Sequence, residues 1–161
     1  MFIWFIALSV SSVALIFRSS TLDFRIVVLG CLLPLIEGAF GGRWVLHTLM
    51  CNAILLLGVM ALAQGRRLAQ RRWLGLPIGT LSHLMLDGTW TDTSVFWWPF
   101  AGVEALGVEA VSEFERLPAG LLLEAAGLVV GLWAWSKFRL SDPVVRRALV
   151  MDGRLVAIGS S

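Results

Sequence analysis

His83 and Asp87 could together bind a metal ion, because they lie four residues apart in the otherwise apolar segment TLSHLMLDGTWTDTSVFWWPF, residues 80–100. On an α-helix this spacing places the two side chains one turn apart on the same face. An imidazole and a carboxylate in this arrangement can reach a common point, which suits a metal ion or a proton relay. A hydrogen bond between neighbouring helices is the plain structural alternative.

The composition predicts that a membrane surrounds this segment. Of 161 residues, 58% are hydrophobic and 15% are charged, and the mean hydropathy is +0.83. These values exceed what a water-soluble core requires. Each span needs about 20 apolar residues, so the chain has room for four or five helices and no separate soluble domain. The net charge of +2 resides in short basic clusters between apolar runs, a distribution that argues against nucleic acid as a partner.

We therefore expect an all-α integral membrane protein, a single domain over residues 1–161 with a bundle of about five transmembrane helices. Gly75, Pro77 and Gly79 predict an irregular first half for the fourth of these helices. The expected spans are residues 2–17, 22–40, 44–63, 73–87 and 119–136, with an outer interfacial segment at 89–118 and a tail at 137–161. The tail is expected to form a short helix or strands.

Basic residues set the predicted orientation. The loop QGRRLAQRR carries four arginines, and cytoplasmic loops are enriched in such residues. Placing this loop inside gives an N-out, C-in topology, in which every Lys and Arg except Arg43 and Arg116 falls on the inner side. The predicted location is therefore the cell membrane (plasma or inner membrane), crossed several times.

This topology brings four polar side chains to the same outer third of the bundle: Glu37, His47, His83 and Asp87. Ionisable groups at that depth cannot face lipid without a large energetic cost, so we expect them to point inward and bind one another or an ion. Two histidines and two carboxylates suit Zn²⁺, Mn²⁺ or Fe²⁺ better than Mg²⁺, and zinc is the first choice. All four residues are therefore candidate metal ligands.

Two of the polar residues have alternative roles. Glu37 could instead cap a helix end or pair with Arg43, and His47 could simply meet water or headgroups near the interface. Arg43 could bind a phosphate or carboxylate of a substrate through two hydrogen bonds, or neutralise Glu37. Glu124, near the outer start of the last span, could join the site or face water.

At these residues the sequence resembles the LexA-regulated, membrane-bound metal-dependent hydrolases, the YdjM-like proteins. The resemblance covers roughly residues 30–100 and consists of LLPLIEG, GGRWVLHT and SHLMLD followed by WWPF, in matching order and spacing. It implies an acidic motif position at Glu37, the Arg and second His positions at Arg43 and His47, and the final pair at His83 and Asp87. Two family positions differ here: Leu35 replaces the first acid and Gly42 the first histidine.

Three functions follow from these observations. The first is a membrane-embedded hydrolase, in which metal-activated water attacks a lipid or lipid-linked ester or phosphoester at the outer face, with Arg43 and Asp87 as catalytic candidates. The second is a catalytically inactive scaffold or accessory subunit, as the changes at Leu35 and Gly42 suggest, acting as a homo-oligomer or with a partner subunit. The third is an ion or proton pathway, against which the inner half of the helices offers no comparable polar residues.

Overall fold

The computed structural model describes residues 1–19, 21–39, 42–102 and 117–155. Across these residues the protein is helical and contains no β-strand, so the prediction of an all-α protein is confirmed. The helices are α1 (Phe2–Phe17), α2 (Phe24–Ala39), α3 (Leu49–Leu62), α4 (Arg67–Trp73), α5 (Gly75–Leu86), α6 (Thr93–Phe96), α7 (Leu117–Lys137) and α8 (Pro143–Asp152). Short 3₁₀ turns, Val45–His47 and Thr89–Thr91, precede α3 and α6.

Within the described ranges, one helix is long and apolar enough to cross a membrane: residues Pro118–Lys137 of α7, of which only 11% is buried. The helices α1 and α3 are also apolar but are shorter. Length and composition thus support one membrane-spanning helix, and the five-span bundle stays a prediction.

The region predicted as the fourth span differs from the expectation. Its first half was predicted to be irregular, but α5 is one continuous helix over most of this region. The additional helix α4 lies in the preceding basic loop, where no helix was predicted. Pro77 does not disturb α5 because it lies in the first turn, where its missing N–H would have no partner within the helix. In the tail, α8 forms as a helix, and residues 156–161 lie outside the described part. Of the predicted interfacial segment, residues 89–102 are described and contain the second 3₁₀ turn and α6, and its last two residues, 117 and 118, already belong to α7.

The most extensive contact between helices joins α2 and α5. Glycine residues allow the backbones of these two helices to approach closely. A Cβ atom on Gly79 would collide with the carbonyl of Val27 and with the Cα of Gly30, and one on Gly30 would collide with the carbonyl of Leu76. Small residues let two helix backbones approach in this way. His83 follows Gly79 by four residues, so the same face of α5 carries the imidazole against α2.

The principal hydrophobic core lies where α2 begins and α7 ends. Its buried members come from α1, α2, α7 and the chain on either side of these helices: Val13, Ala14, Leu22, Phe24, Val27, Ala134, Phe138 and Leu155. The last of these follows α8, so the C-terminal tail is part of the fold. Hydrophobic packing therefore fixes one end of the bundle, and the polar residues of interest lie toward the other.

Candidate metal site

Three of the predicted ligands come together in the structure. His47, His83 and Asp87 each offer a ligand atom, and these three atoms lie within 4.8 Å of one another. Both imidazoles are buried and the carboxylate is half-buried. Two histidines and one carboxylate at this separation could hold one metal ion after small side-chain adjustments, because metal–ligand bonds are close to 2 Å.

His83 is fixed by contacts on two helices. Its Nδ1–H donates a hydrogen bond of 2.7 Å to the backbone carbonyl of Cys31 in α2. The ring of Phe5 in α1 stacks on the imidazole with a centroid distance of 4.1 Å. His83 therefore has a defined orientation and a defined protonated nitrogen.

His47 is held by Glu37. The imidazole Nδ1 lies 2.9 Å from Oε2 of Glu37, and the same carboxylate accepts backbone N–H bonds from Trp44 at 3.1 Å and Leu46 at 2.9 Å. A carboxylate at the start of a helical turn satisfies N–H groups that have no partner within that turn. Glu37 thus positions the 3₁₀ turn and orients the histidine that ends it.

Both imidazoles therefore use Nδ1 for a protein partner. In the neutral form of each ring, Nδ1–H donates to the carboxylate or to the carbonyl, so the lone pair is on Nε2. Metal-binding histidines typically donate their second ring N–H to a carboxylate or a backbone carbonyl in this way. The ring centroids of His47 and His83 are 5.6 Å apart, in an edge-to-face arrangement. The pair thus offers two oriented nitrogen donors.

Asp87 completes the group from the C-terminal end of α5. Gly88 follows it with a φ of +72°, a left-handed conformation that turns the chain sharply away from the helix. One oxygen of the carboxylate, Oδ2, accepts a hydrogen bond of 2.8 Å from Thr89 and forms a 3.0 Å ion pair with Nη2 of Arg43. Arg43 thus lies against the site, but on Asp87 and not on Glu37.

The predicted residues now have distinct positions. Glu37 is outside the three-ligand group and contacts His47 instead, which is the geometry of a supporting residue. Leu35 and Gly42, at the two positions that differ from the family, offer no ligand atom. Glu124 is elsewhere: it accepts hydrogen bonds from the backbone N–H groups of Ile3 and Trp4 at the start of α1.

Two contributors were not predicted from the sequence. The carbonyl of Cys31 is a backbone group, so the type of its residue gives no signal that it accepts a hydrogen bond from His83. Thr89 follows the Asp-Gly turn and bonds Asp87 locally. A polar residue two positions after an aspartate in a turn is the pattern that could have identified it.

Comparisons with models of known protein families, with curated proteins and with solved structures found no match. The resemblance to the membrane-bound hydrolases therefore rests on the motif residues themselves. Geometry shows how the three strongest of those residues, His47, His83 and Asp87, meet.

Proposed function

We propose that this protein is a membrane-embedded, metal-dependent hydrolase with its site formed by His47, His83 and Asp87. The observation that carries the proposal is the pair of supporting contacts, Glu37 on His47 and the carbonyl of Cys31 on His83. These contacts leave Nε2 of each ring with its lone pair available, in a group whose third member is the carboxylate of Asp87. A mere packing cluster has no need to orient both rings in this way.

The donor set favours a transition metal. Two imidazole nitrogens and one carboxylate form the ligand set of many catalytic zinc sites and of non-haem iron sites, which keep a further position open. Zinc is our first choice, with manganese and iron as alternatives. A metal ion bound there would lower the pKa of a coordinated water toward neutral and so supply a nucleophile.

The protein's own residues would do the remaining work. Arg43 lies at the edge of the site, with a half-buried side chain whose guanidinium has further N–H donors beyond the one on Asp87. In that position it can bind the anionic group of a substrate and stabilise the charge that develops during attack. Together with the proposed five-span, N-out bundle in the cell membrane, this favours a lipid or lipid-linked ester or phosphoester at the outer face.

One observation favours a second candidate, the inactive scaffold. Asp87 is already neutralised by Arg43 and hydrogen-bonded by Thr89, so the cluster is internally paired without an ion. Polar contacts of this kind can hold membrane helices together. In that case the cluster would join α2, α5 and the turn before α3, and the protein would act through a partner subunit or a second copy.

Elemental analysis of the detergent-purified protein separates the two candidates. We expect about one transition-metal ion per chain in the wild type, and loss of that ion in His83→Ala and in His47→Ala. Glu124→Gln is the matched control, because it changes a carboxylate at the α1–α7 contact and should keep the metal. Metal-loaded protein that hydrolyses a lipid phosphoester, with activity lost in Arg43→Gln, would establish the reaction. A metal-free protein after incubation with zinc, manganese and iron would favour the scaffold.

A further inference from the structure

The opposite end of the molecule, where the basic residues lie, contains a polar cavity of about 480 Å³. It lies between the start of α2, the helix α4 and the end of α8. Three arginines, Arg25, Arg72 and Arg154, line it together with Asp23 and Asp152, and the exposed ring of Trp73 lies at its edge. Arginine and tryptophan at an interface are common in sites for anionic headgroups.

The contacts of Asp23 show which of these arginines is already bound to a carboxylate. Its side chain is only 3% exposed, and Arg25 binds both of its oxygens, at 3.1 Å through Nε and at 2.9 Å through Nη2. The remaining N–H groups of Arg25 are also largely committed, since Nη1 donates to the carbonyls of Val150 and Met151 at the end of α8. Asp23 and Arg25 therefore form a structural joint and not a site for a ligand.

Arg72 and Arg154 retain unused donors. Arg72 contacts Asp23 only through Nε, at 2.9 Å, while its side chain is 55% exposed and its two Nη atoms have no partner among the described residues. The exposed side chain of Arg154 likewise has no hydrogen bond or ion pair within the described part of the chain. Two guanidinium groups on one cavity can bind one phosphate through several charge-assisted hydrogen bonds.

An apolar groove of about 670 Å³ adjoins this cavity. Its floor is one face of α1, formed by residues at helical spacing, and its walls come from α2 and α7. The lining residues on α1 are Ile3, Ile6, Ala7 and Val10. These extend over about 10 Å of helix. Leu140 and Leu149 lie at the end where α8 joins the bundle. Arg25 lines both the groove and the polar cavity, so the two spaces border the same residue.

We propose that these two spaces form a binding site for one anionic phospholipid. Its phosphate would lie against Arg72 and Arg154, and one acyl chain would lie in the groove on α1. A free phosphate would leave the apolar groove empty, and a zwitterionic lipid would offer the arginines no net charge. This inference rests on the membrane location proposed above but does not depend on the metal site or on hydrolysis.

Native mass spectrometry of the full-length protein in detergent tests the site, with phosphatidylglycerol, phosphatidylcholine, glycerol 3-phosphate and inorganic phosphate as probes. We expect one phosphatidylglycerol per chain and at least about tenfold weaker binding in Arg72→Gln/Arg154→Gln. The matched control is Arg67→Gln/Arg71→Gln, which removes the same charge from α4 outside the cavity and should leave the affinity unchanged. Equal loss in both double variants would show general charge attraction and overturn the proposal.

The groove has its own pair of variants. Leu29 lines the groove and is 61% exposed, so the Leu29→Gln variant should fold normally. Its affinity for phosphatidylglycerol should fall about fivefold. Leu132→Gln changes a similarly exposed leucine of α7 outside the groove and should have no effect. Three results would contradict the proposal: equal binding of phosphatidylcholine, equal binding of inorganic phosphate or glycerol 3-phosphate, and a protein dimer without bound lipid.

Discussion

The two charged clusters of this protein differ in how completely their side chains are used. At the joint that Asp23 forms with Arg25 and Arg72, the carboxylate accepts four hydrogen bonds: from the backbone N–H and two side-chain nitrogens of Arg25, and from Nε of Arg72. In the cluster of His47, His83 and Asp87, each imidazole has one nitrogen bound to a protein partner, and its other nitrogen remains available for a ligand. A carboxylate has about four acceptor positions, so Asp23 has none left for a ligand.

We interpret this difference as a division between a structural cluster and a candidate site within one small chain. Asp23 joins α2 to α4 and, through Arg25, to the end of α8, and the backbone N–H of Phe24 adds a 2.8 Å bond to the carbonyl of Gly153. Its full use indicates a structural role. Buried, oriented imidazole rings that keep one ring nitrogen free for a ligand indicate a candidate binding site. Four substitutions test whether the two clusters have these separate roles.

The largest effect is expected from Gly79→Leu. A side chain at this position would collide with the backbone of α2 at Val27 and Gly30, which cannot move aside as a flexible side chain could. We expect a loss of about 3 kcal/mol of unfolding free energy, together with loss of metal, because His83 would leave the carbonyl of Cys31. Thermal unfolding in detergent and metal analysis measure both changes.

Gly58→Leu is the control for that change. A Cβ atom there meets nothing within 4 Å, so stability and metal content should stay close to wild type. Equal damage from both leucines would mean that the contact between α2 and α5 does not position the site.

Asp23→Ala should affect stability without affecting the metal. It removes a helix cap and leaves two arginines without their carboxylate, and because both arginines are partly exposed we expect a loss of about 2–3 kcal/mol. Asp142→Ala removes the corresponding cap of α8, and because Asp142 has no arginine partner among the described residues, the change should cost about 1 kcal/mol. Unfolding measured for both variants isolates the arginine contribution. Reduced metal occupancy in Asp23→Ala would contradict the separation of the clusters.

Glu37→Gln should affect metal binding more than stability, the opposite of Asp23→Ala. The amide is a weaker acceptor for the N–H of His47 and places donors against the backbone N–H groups that the carboxylate now satisfies. We expect metal affinity to fall about 10- to 100-fold, with a smaller change in stability of about 1 kcal/mol. Titration with zinc measures the affinity. An unchanged affinity would show that Glu37 does not support the site, and complete loss of binding would favour direct ligation by Glu37.

Arg43→Gln should produce the smallest change in metal affinity, and this change should be an increase. Removing the guanidinium frees Asp87 from its ion pair, so we expect metal affinity to rise about threefold to fivefold. The same zinc titration measures this change in affinity. Arg18→Gln is the charge control, because it removes one positive charge at the C-terminal cap of α1. A fall in affinity would mean that Arg43 holds Asp87 in place for the metal.

Much of the candidate site could be predicted from residue type and spacing. His83 and Asp87 share a helix face because they are four residues apart, and the alternation of helix direction placed His47 near them. The role of Glu37 could not be predicted in this way. A carboxylate can bind a metal or the N–H of a neighbouring histidine, and the choice depends on differences of a few ångströms that spacing does not define.

The joint formed by Asp23 with Arg25 and Arg72 was not predicted at all. Asp23 precedes an apolar run, which is a signal for a helix cap. Its second partner, Arg72, is 49 residues away in the chain, and no local pattern connects the two. The helix α4 and the regularity of α5 were also missed. Glycine and proline mark irregularity without saying whether a residue lies in a first turn or in a helix interior.

The sequence by itself determined that this protein is helical and apolar, and which of its few polar side chains could share a site. Hydrophobic composition and helical periodicity are local properties, so they can be read along the chain. Only the tertiary structure decided that the two histidines use Nδ1 for protein partners and that Glu37 supports one of them. It also decided that Asp23 joins the start of α2 to α4 and, through Arg25, to the end of α8. Those outcomes depend on the close approach of α2 and α5 and on hydrogen bonds between distant residues, which exist only after the helices have packed.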